Sequence, residues 1–323
     1  MKDFVHRVKT RTTVTPVQQK LRRLPLTARD KVSQELRKLE TTGVIEKIDA
    51  SEWVSPIVVA WKKTGEIRLC VDLRKPNQAV VIDSHPLPHP EEIFHQLTGM
   101  TVFSKLDLSS AYHQMELAEE SRDLTAFITH DGLFRFKRVC FGLASAAAAF
   151  QKMLSTVLKG CRGTVHYLDD ILVGGISQKE HDENLQQVLT RLQKSGMKLN
   201  SEKCTFSVTE LQYLGHHLSR EGIKPAEGTL DPISKAPSPT NVKSLQSFLG
   251  LASYYLKFVP HYATIVDPLR NLLRKGVEFT WAAEQAQAFE KVKNLIKNCA
   301  CSAAHVNSTP FRSRARRRST IVA

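Results

Sequence analysis

Several features are missing from this sequence, and each absence narrows its class. There are six cysteines in 323 residues (Cys70, Cys140, Cys161, Cys204, Cys299 and Cys301), and no Cys-x-x-Cys pair. That scatter excludes a disulfide framework and a zinc knuckle. It fits reduced thiols in a cytosolic or nuclear protein rather than a secreted one. The opening stretch, "MKDFVHRVKTRTTVTP", has no apolar segment, so it does not read as a secretory signal. No apolar run approaches the length of about 18 residues that a membrane span needs. Acidic residues are scarce relative to basic ones, 32 against 46, giving a net charge of +14. This excess selects a polyanionic partner, with nucleic acid ahead of an acidic membrane. No internal repeat is visible.

What is present is ordinary globular protein, 41% apolar and 24% charged, and long enough for two or three packed units. Residues 1–25 are basic, Thr-rich and expected to be extended and loosely held. Thr27 with Asp30 resembles a capping pair for a helix carrying Val32, Leu36 and Leu39 and ended by Gly43. Residues 54–72 read as a hairpin turning at "KKTGE". Pro86, Pro88 and Pro90 mark residues 83–92 as a connector without regular structure. "TVFSKLDL" (101–108) alternates as a strand, and "SAAAAFQKMLSTVL" (145–158) is helical. Ser177 and Glu180 cap a helix with Leu185, Val188, Leu189 and Leu192 on one stripe, closed by Gly196. "ELQYLGHHL" (210–218) reads as a short strand. Thr240 starts a helix with Val242, Leu245, Phe248 and Leu249 inward, and Trp281–Ile296 forms another.

The informative stretch is "VHYLDDILVGG" (165–175), where Asp169 and Asp170 stand between two runs of β-formers. A solvated turn is the ordinary reading, with Asp-Asp at the tip of a tight hairpin. The other reading is half of a metal site. Asp107 ends the 101–108 strand, and if that strand pairs beside the hairpin, Asp107 and Asp169 converge. A pair of divalent ions about 3.5–4 Å apart requires such a carboxylate cluster. Without a cation, three adjacent carboxylates repel, so metal binding explains the pair better than a bare turn.

These stretches resemble a known family. "FSKLDLSSAYHQ", "FGLASAAAAFQ", "HYLDDILV" and "LQYLGHHLS" occur in order, with "SPIVVAWKKTGEIRLCVDLRKPN" upstream and "LQSFLGLASYYLKFVPHYA" downstream. Together, over roughly residues 15–298, they are similar to the reverse transcriptase region of a Ty3/gypsy-type LTR retrotransposon Pol polyprotein. The resemblance implies an α+β right-hand polymerase fold. Its parts would be a basic segment (1–25), fingers (26–100), a palm with an antiparallel sheet (101–218), a helical thumb (219–275), the start of a connection or RNase H-like region (276–300) and a basic tail (301–323).

The resemblance also implies an RNA-directed DNA polymerase that uses two Mg²⁺ ions, with Mn²⁺ as a substitute, on an RNA or DNA template with primer and dNTPs. Asp107, Asp169 and Asp170 match the metal-binding carboxylates, Asp169 bridging and Asp170 more peripheral, with the Leu108 carbonyl as a further ligand. Arg68 matches the fingers arginine on the triphosphate, assisted by Lys62 or Lys63. Tyr112 matches the residue that excludes a 2′-hydroxyl, and Phe141 and Gly142 line the nucleotide. Gln151 and Tyr167 on one side, and Leu214, Gly215 and His216 in the "LGHH" hairpin, match primer and template contacts.

Two positions depart from the family pattern, Cys140 and Ala147, where proline is usual. No Asp or Glu follows Glu290, and no Asp-Thr/Ser-Gly triplet occurs. The expectation is therefore a piece without RNase H, protease or integrase, located in a cytoplasmic particle or the nucleus. The competing readings are a catalytically impaired remnant that only binds nucleic acid and a viral RNA-dependent RNA polymerase. Tyr112 and Tyr-Leu-Asp-Asp disfavour the latter.

Overall fold

A computed structural model describes residues 4–61, 65–82, 87–226, 228, 230–253 and 262–299. Lys62, Lys63 and the Arg-rich 301–323 lie outside them. The chain divides into two units, Met1–Val208 and Thr209–Ala323.

The first unit runs β1 (Val5–His6), α1 (Leu26–Thr41), β2 (Ile45–Ile48), β3 (Ser55–Trp61), β4 (Ile67–Val71), α2 (Pro90–Gln96), β5 (Val102–Asp107), β6 (Glu116–Leu117), α3 (Glu119–Arg122), β7 (Phe127–Thr129), β8 (Gly132–Phe136), α4 (Ala146–Val157), β9 (Thr164–Tyr167), β10 (Asp170–Gly175), α5 (Gln178–Lys194) and β11 (Thr205–Val208). Two larger sheets result, β2-β8-β7-β3-β4 and β11-β5-β10-β9. Leu106, Leu108, Ile171 and Val173 of the second sheet share one buried core with Phe150, Met153 and Leu154 of α4 and Val188 and Leu192 of α5. The Gly174–Gly175 pair makes the close approach possible. A Cβ at Gly175 would strike the backbone of His181 in α5, and one at Gly174 would strike Met100.

The predicted hairpin at 54–72 forms, with Ile57 opposite Val71 and Trp61 opposite Ile67. Helix α1 ends as expected at Gly43, whose φ of 69° lets the Val44 N–H reach the Leu39 carbonyl. Its start differs. Thr27 and Asp30 lie inside the first turns, and Pro25 takes the cap position without a side-chain bond.

Of the connector expected over 83–92, residues 83–86 lie outside the described residues, and 90–92 are not irregular but open helix α2. Pro90 occupies the first helical position, where no N–H is needed, and the Glu92 carboxylate accepts from the His89 N–H at 3.3 Å. The N-terminal segment is extended but not loose. β1 pairs in parallel with β6, Thr10 bridges Val80, Gln18 bridges Val54, and Arg22 reaches Asp72 at 2.6 Å.

The second unit runs β12 (Glu210–Tyr213), β13 (His216–Ser219), β14 (Gly222–Pro225), α6 (Asp231–Ser234), α7 (Val242–Ser253), α8 (Tyr262–Asn271) and α9 (Ala283–Cys299). Residues 210–218, a single short strand by residue pattern, form a hairpin as the resemblance at "LGHH" implies, because Leu214 and Gly215 both take positive φ, 48° and 75°. Helix α7 is capped by Asn241, whose Oδ1 accepts from the Ser244 N–H at 2.8 Å, one residue beyond the expected Thr240. Leu245 and Phe248 are buried as expected, but Val242 is exposed because it opens the first turn. Phe248 packs on Phe289 of α9 with ring centroids 4.4 Å apart.

Candidate active site

The site is built on the pairing of β5 with β10. Their antiparallel register sets Asp170 directly opposite Asp107, and β9 sets Tyr167 opposite Asp170. The turn between β9 and β10 is therefore Leu168–Asp169. Its tip is one residue earlier than an Asp-Asp tip, and Asp170 is the first residue of a strand. Leu168 has a φ of 54°, a strained conformation for a branched side chain. The strain is held by Gln151 of α4, which is 2% exposed. Its Oε1 accepts from the Leu168 N–H at 2.8 Å, and its amide donates to the His166 carbonyl at 3.5 Å. Gln151 is thus buried as a support for the turn.

Asp107 is held just as closely. Its N–H donates to Cys204 Sγ at 3.4 Å, and its carbonyl accepts from Asn200 at 2.9 Å. The Asn200 bond belongs to a bridge between Leu108 and Leu199, in which Ser109 N–H donates to the Lys198 carbonyl. These bonds bypass the Leu108 carbonyl. Gln114 secures the same loop by donating to the carbonyls of Ser109 and Lys198 and accepting from the Lys198 N–H.

The donor set, three carboxylates at one sheet end, suits a hard divalent cation. Among the described residues, no three His, Cys, Asp or Glu side chains stand close enough together to hold one as placed. Lysines balance the charge instead. Lys105 Nζ lies 3.1 Å from Asp170 Oδ1, and Lys203 Nζ 3.9 Å from Asp107 Oδ1. Asp169, at the turn tip, is exposed.

Beside the carboxylates stands an aromatic stack. Ser110, at a φ of 46°, opens a short turn over Ala111–Gln114 that carries Tyr112. The Tyr112 ring meets Phe141 edge-on at 4.9 Å and Phe150 at 5.3 Å. Burial raises the Tyr112 hydroxyl pKa, and the charge of Asp169 adds to the rise. Arg68 of β4 lays its guanidinium over the outer face of Phe141, 5.0 Å from the ring centroid. Tertiary structure thus joins Arg68, Phe141, Tyr112 and the carboxylate turn.

The Phe141–Gly142 turn is clamped by Asn77, which donates to the Gly142 carbonyl at 2.7 Å and accepts from the Ala144 N–H at 2.9 Å. Gly142 takes a φ of 90°, which a side chain would resist. Cys140 is fully buried, and burial pushes its thiol up to about 12. The turn forms without the proline usual at that position.

In the second unit, Leu214 and Gly215 form the β12–β13 turn. His216 is completely buried, and its Nδ1–H donates to the Leu214 carbonyl at 2.9 Å. His216 thus supports the turn from inside, at the hairpin that the resemblance matched to the primer grip. Sequence reading passed over Asn77, Gln114, Asn200, Cys204 and Lys105. All of them act across long sequence separations, which leave no local signal.

One constellation mimics a hydrolase site and is not one. Ser104 hydroxyl donates to His181 Nε2 at 2.8 Å, and His181 Nδ1–H donates to Asp182 at 2.9 Å. Ser104 is completely buried and accepts from the Ser207 N–H at 3.0 Å, so this chain pins β5, α5 and β11 together.

Comparison with known proteins agrees with this geometry. Residues 60–218 match the reverse transcriptase (RNA-dependent DNA polymerase) family. The chain is 35% identical over 290 residues to the retrovirus-related Pol polyprotein from transposon 297 of Drosophila melanogaster, and 32% identical over 269 residues to the transposon Tf2-3 polyprotein of Schizosaccharomyces pombe. These alignments cover 87% and 83% of this chain but only 27% and 20% of the polyproteins. Among solved structures, the foamy viral protease-reverse transcriptase in complex with double-stranded DNA superposes with a TM-score of 0.77 at 26% identity, covering 92% of this chain and 52% of that one. The same viral protein with an RNA/DNA hybrid gives 0.71 at 26% identity, covering 92% and 40%. The mixed α+β fold is that of the right-hand polymerases, and the paired carboxylate strands with the Arg68–Phe141–Tyr112 stack lie inside the matched span. Residues 60–218 are thus a domain of the reverse transcriptase family, in a chain similar to part of transposon Pol polyproteins.

Proposed function

We propose that the chain extends a primer on an RNA or DNA template, using dNTPs and two divalent cations, Mg²⁺ or Mn²⁺. The observation that carries this reading is the register that sets Asp107 against Asp170 with Asp169 on the adjoining turn. When bound, the cations would favour the ionised primer 3′-hydroxyl and neutralise charge on the departing pyrophosphate.

The protein's own residues do the rest. Asp107, Asp169 and Asp170 would hold the cations, in place of the lysines that stand beside Asp107 and Asp170. Arg68 orients the triphosphate through its planar fork. Tyr112, wedged between Phe141 and Phe150, forms the floor under the sugar and leaves no room for a 2′-hydroxyl. Template and primer are drawn by the net positive charge. The viral neighbours hold double-stranded DNA and an RNA/DNA hybrid, which supports nucleic acid as the partner here. In this reading the fingers span 26–100, the palm 101–218 and the thumb 219–275.

The test is extension of oligo(dT) on poly(rA) with Mg²⁺ or Mn²⁺. Asp169→Asn should cut extension by more than about 100-fold, since loss even of groups supporting a metal ligand costs about 10–100-fold. Primer–template affinity should stay within about twofold. Near wild-type extension by Asp169→Asn would sink the metal assignment.

A further inference from the structure

The hairpin that carries Arg68 leaves its sheet early. β3 joins β7 only at Ser55 and Pro56, whereas its pairing with β4 continues from Ile57 to Trp61. Beyond Pro56 the hairpin is a two-stranded ribbon, and such ribbons are marginal without further support. Arg68 sits opposite Ala60, near the far end.

Support comes from α1. Ala28, Val32 and Leu36 bury one face of that helix, so its backbone is fixed. Lys31, beside Val32, reaches both sides of the ribbon's far end. Its Nζ donates to the Gly65 carbonyl at 2.9 Å and lies 4.7 Å from the centroid of the Trp61 ring. One ammonium thus grips the last residue of β3 and the chain entering β4. Val32 and Leu36 of α1 share a core with Ile67 of β4; exposed lysines usually contribute little, but this one adds a polar hold on Gly65 and Trp61, beyond that apolar contact.

We infer that Lys31 is a positioning residue for Arg68, holding the ribbon so that the guanidinium stays over Phe141. The functional half of this inference rests on the polymerase reading; the tether itself does not. Lys31→Met keeps the aliphatic stem and removes the charge and the donor, while Lys31→Arg keeps both.

Two readouts decide it. In Lys31→Met without nucleotide, amide exchange over 57–61 and 67–71 should quicken by about tenfold. The KM for dNTP should rise by about fivefold with kcat within about twofold, because a displaced Arg68 loses ground-state and transition-state contact alike. Lys31→Arg should restore both. Exchange equal to wild type in Lys31→Met overturns the tether, whatever the enzyme does. Faster exchange with an unmoved KM overturns the positioning role. A wild-type chain that extends no primer defeats the polymerase reading instead, and exchange alone then decides whether Lys31 holds the ribbon.

Discussion

Two hairpins in this chain turn on a leucine in left-handed backbone, and they resolve the strain differently. At Leu214 the next residue is Gly215, which takes a positive φ at no steric cost, and His216 ties the turn through the Leu214 carbonyl. At Leu168 the next residue is Asp169, and no glycine helps. A buried glutamine from another helix, Gln151, holds the turn by its N–H. The first turn is built from local chemistry. The second depends on tertiary support, and it is the one that presents a carboxylate. Ser110, another left-handed non-glycine residue, lies three positions after Asp107. Two of the three left-handed non-glycine residues described in the first unit therefore flank the carboxylates, and the third, Ser207, lies in β11.

The comparison can be broken most severely at Gln151. Gln151→Leu preserves bulk but leaves the half-buried Leu168 N–H without its partner, at a cost of about 1 kcal/mol. Extension should fall about 10–100-fold through kcat, with primer–template affinity little changed. Urea unfolding beside single-turnover kinetics checks this. Unaltered kcat in a folded Gln151→Leu would mean that the turn needs no outside support.

A middle-sized effect should appear with acid. His113, in the turn opened by Ser110, packs near Phe136 and Phe141, and burial lowers its pKa to about 4. Unfolded, the imidazole binds a proton below its usual value of about 6.5. Between those values the unfolded state carries the extra proton, so stability is full above pH 6.5, declines as pH falls to about 4, and is flat below. The loss is about 3 kcal/mol at most. His113→Gln should flatten this part of the profile, read as the shift in urea midpoint between pH 7 and pH 4.5 relative to wild type. An identical shift in both proteins would remove His113 as the source.

The smallest effect is at the other turn. Leu214→Gly removes a steric penalty of about 1–2 kcal/mol against the entropy glycine adds to the unfolded chain. A net gain of about 0.5–1 kcal/mol is expected, seen as a small rise in melting temperature of the full chain. Destabilisation instead would show that the leucine side chain earns its place by packing.

Much of this protein was legible in its sequence because the relevant signals are local. Alternation marked β5, helical spacing and Gly43 marked α1, the Ser177–Glu180 cap and Gly196 bounded α5, and β-formers on both sides of Asp169 marked the hairpin. Charge pointed to a polyanion, and the ordered motifs identified the family before any geometry was available.

Tertiary structure decided what depends on residues far apart in the chain. The register of β5 on β10 made Asp107 and Asp170 neighbours, because a pairing one residue away would turn every side chain to the opposite face. Bridges from residues 10 and 18 to Val80 and Val54, 36 and more residues onward, turned a loose-looking basic segment into a strap, since backbone hydrogen bonds carry no side-chain signature. Gln151 and His216 look like surface contacts in sequence, yet packing buried them beneath the turns they hold. Sequence chose the carboxylates by their chemistry, and only the folded chain could bring them to one sheet edge, because that proximity is made by long-range pairing and not by any local preference.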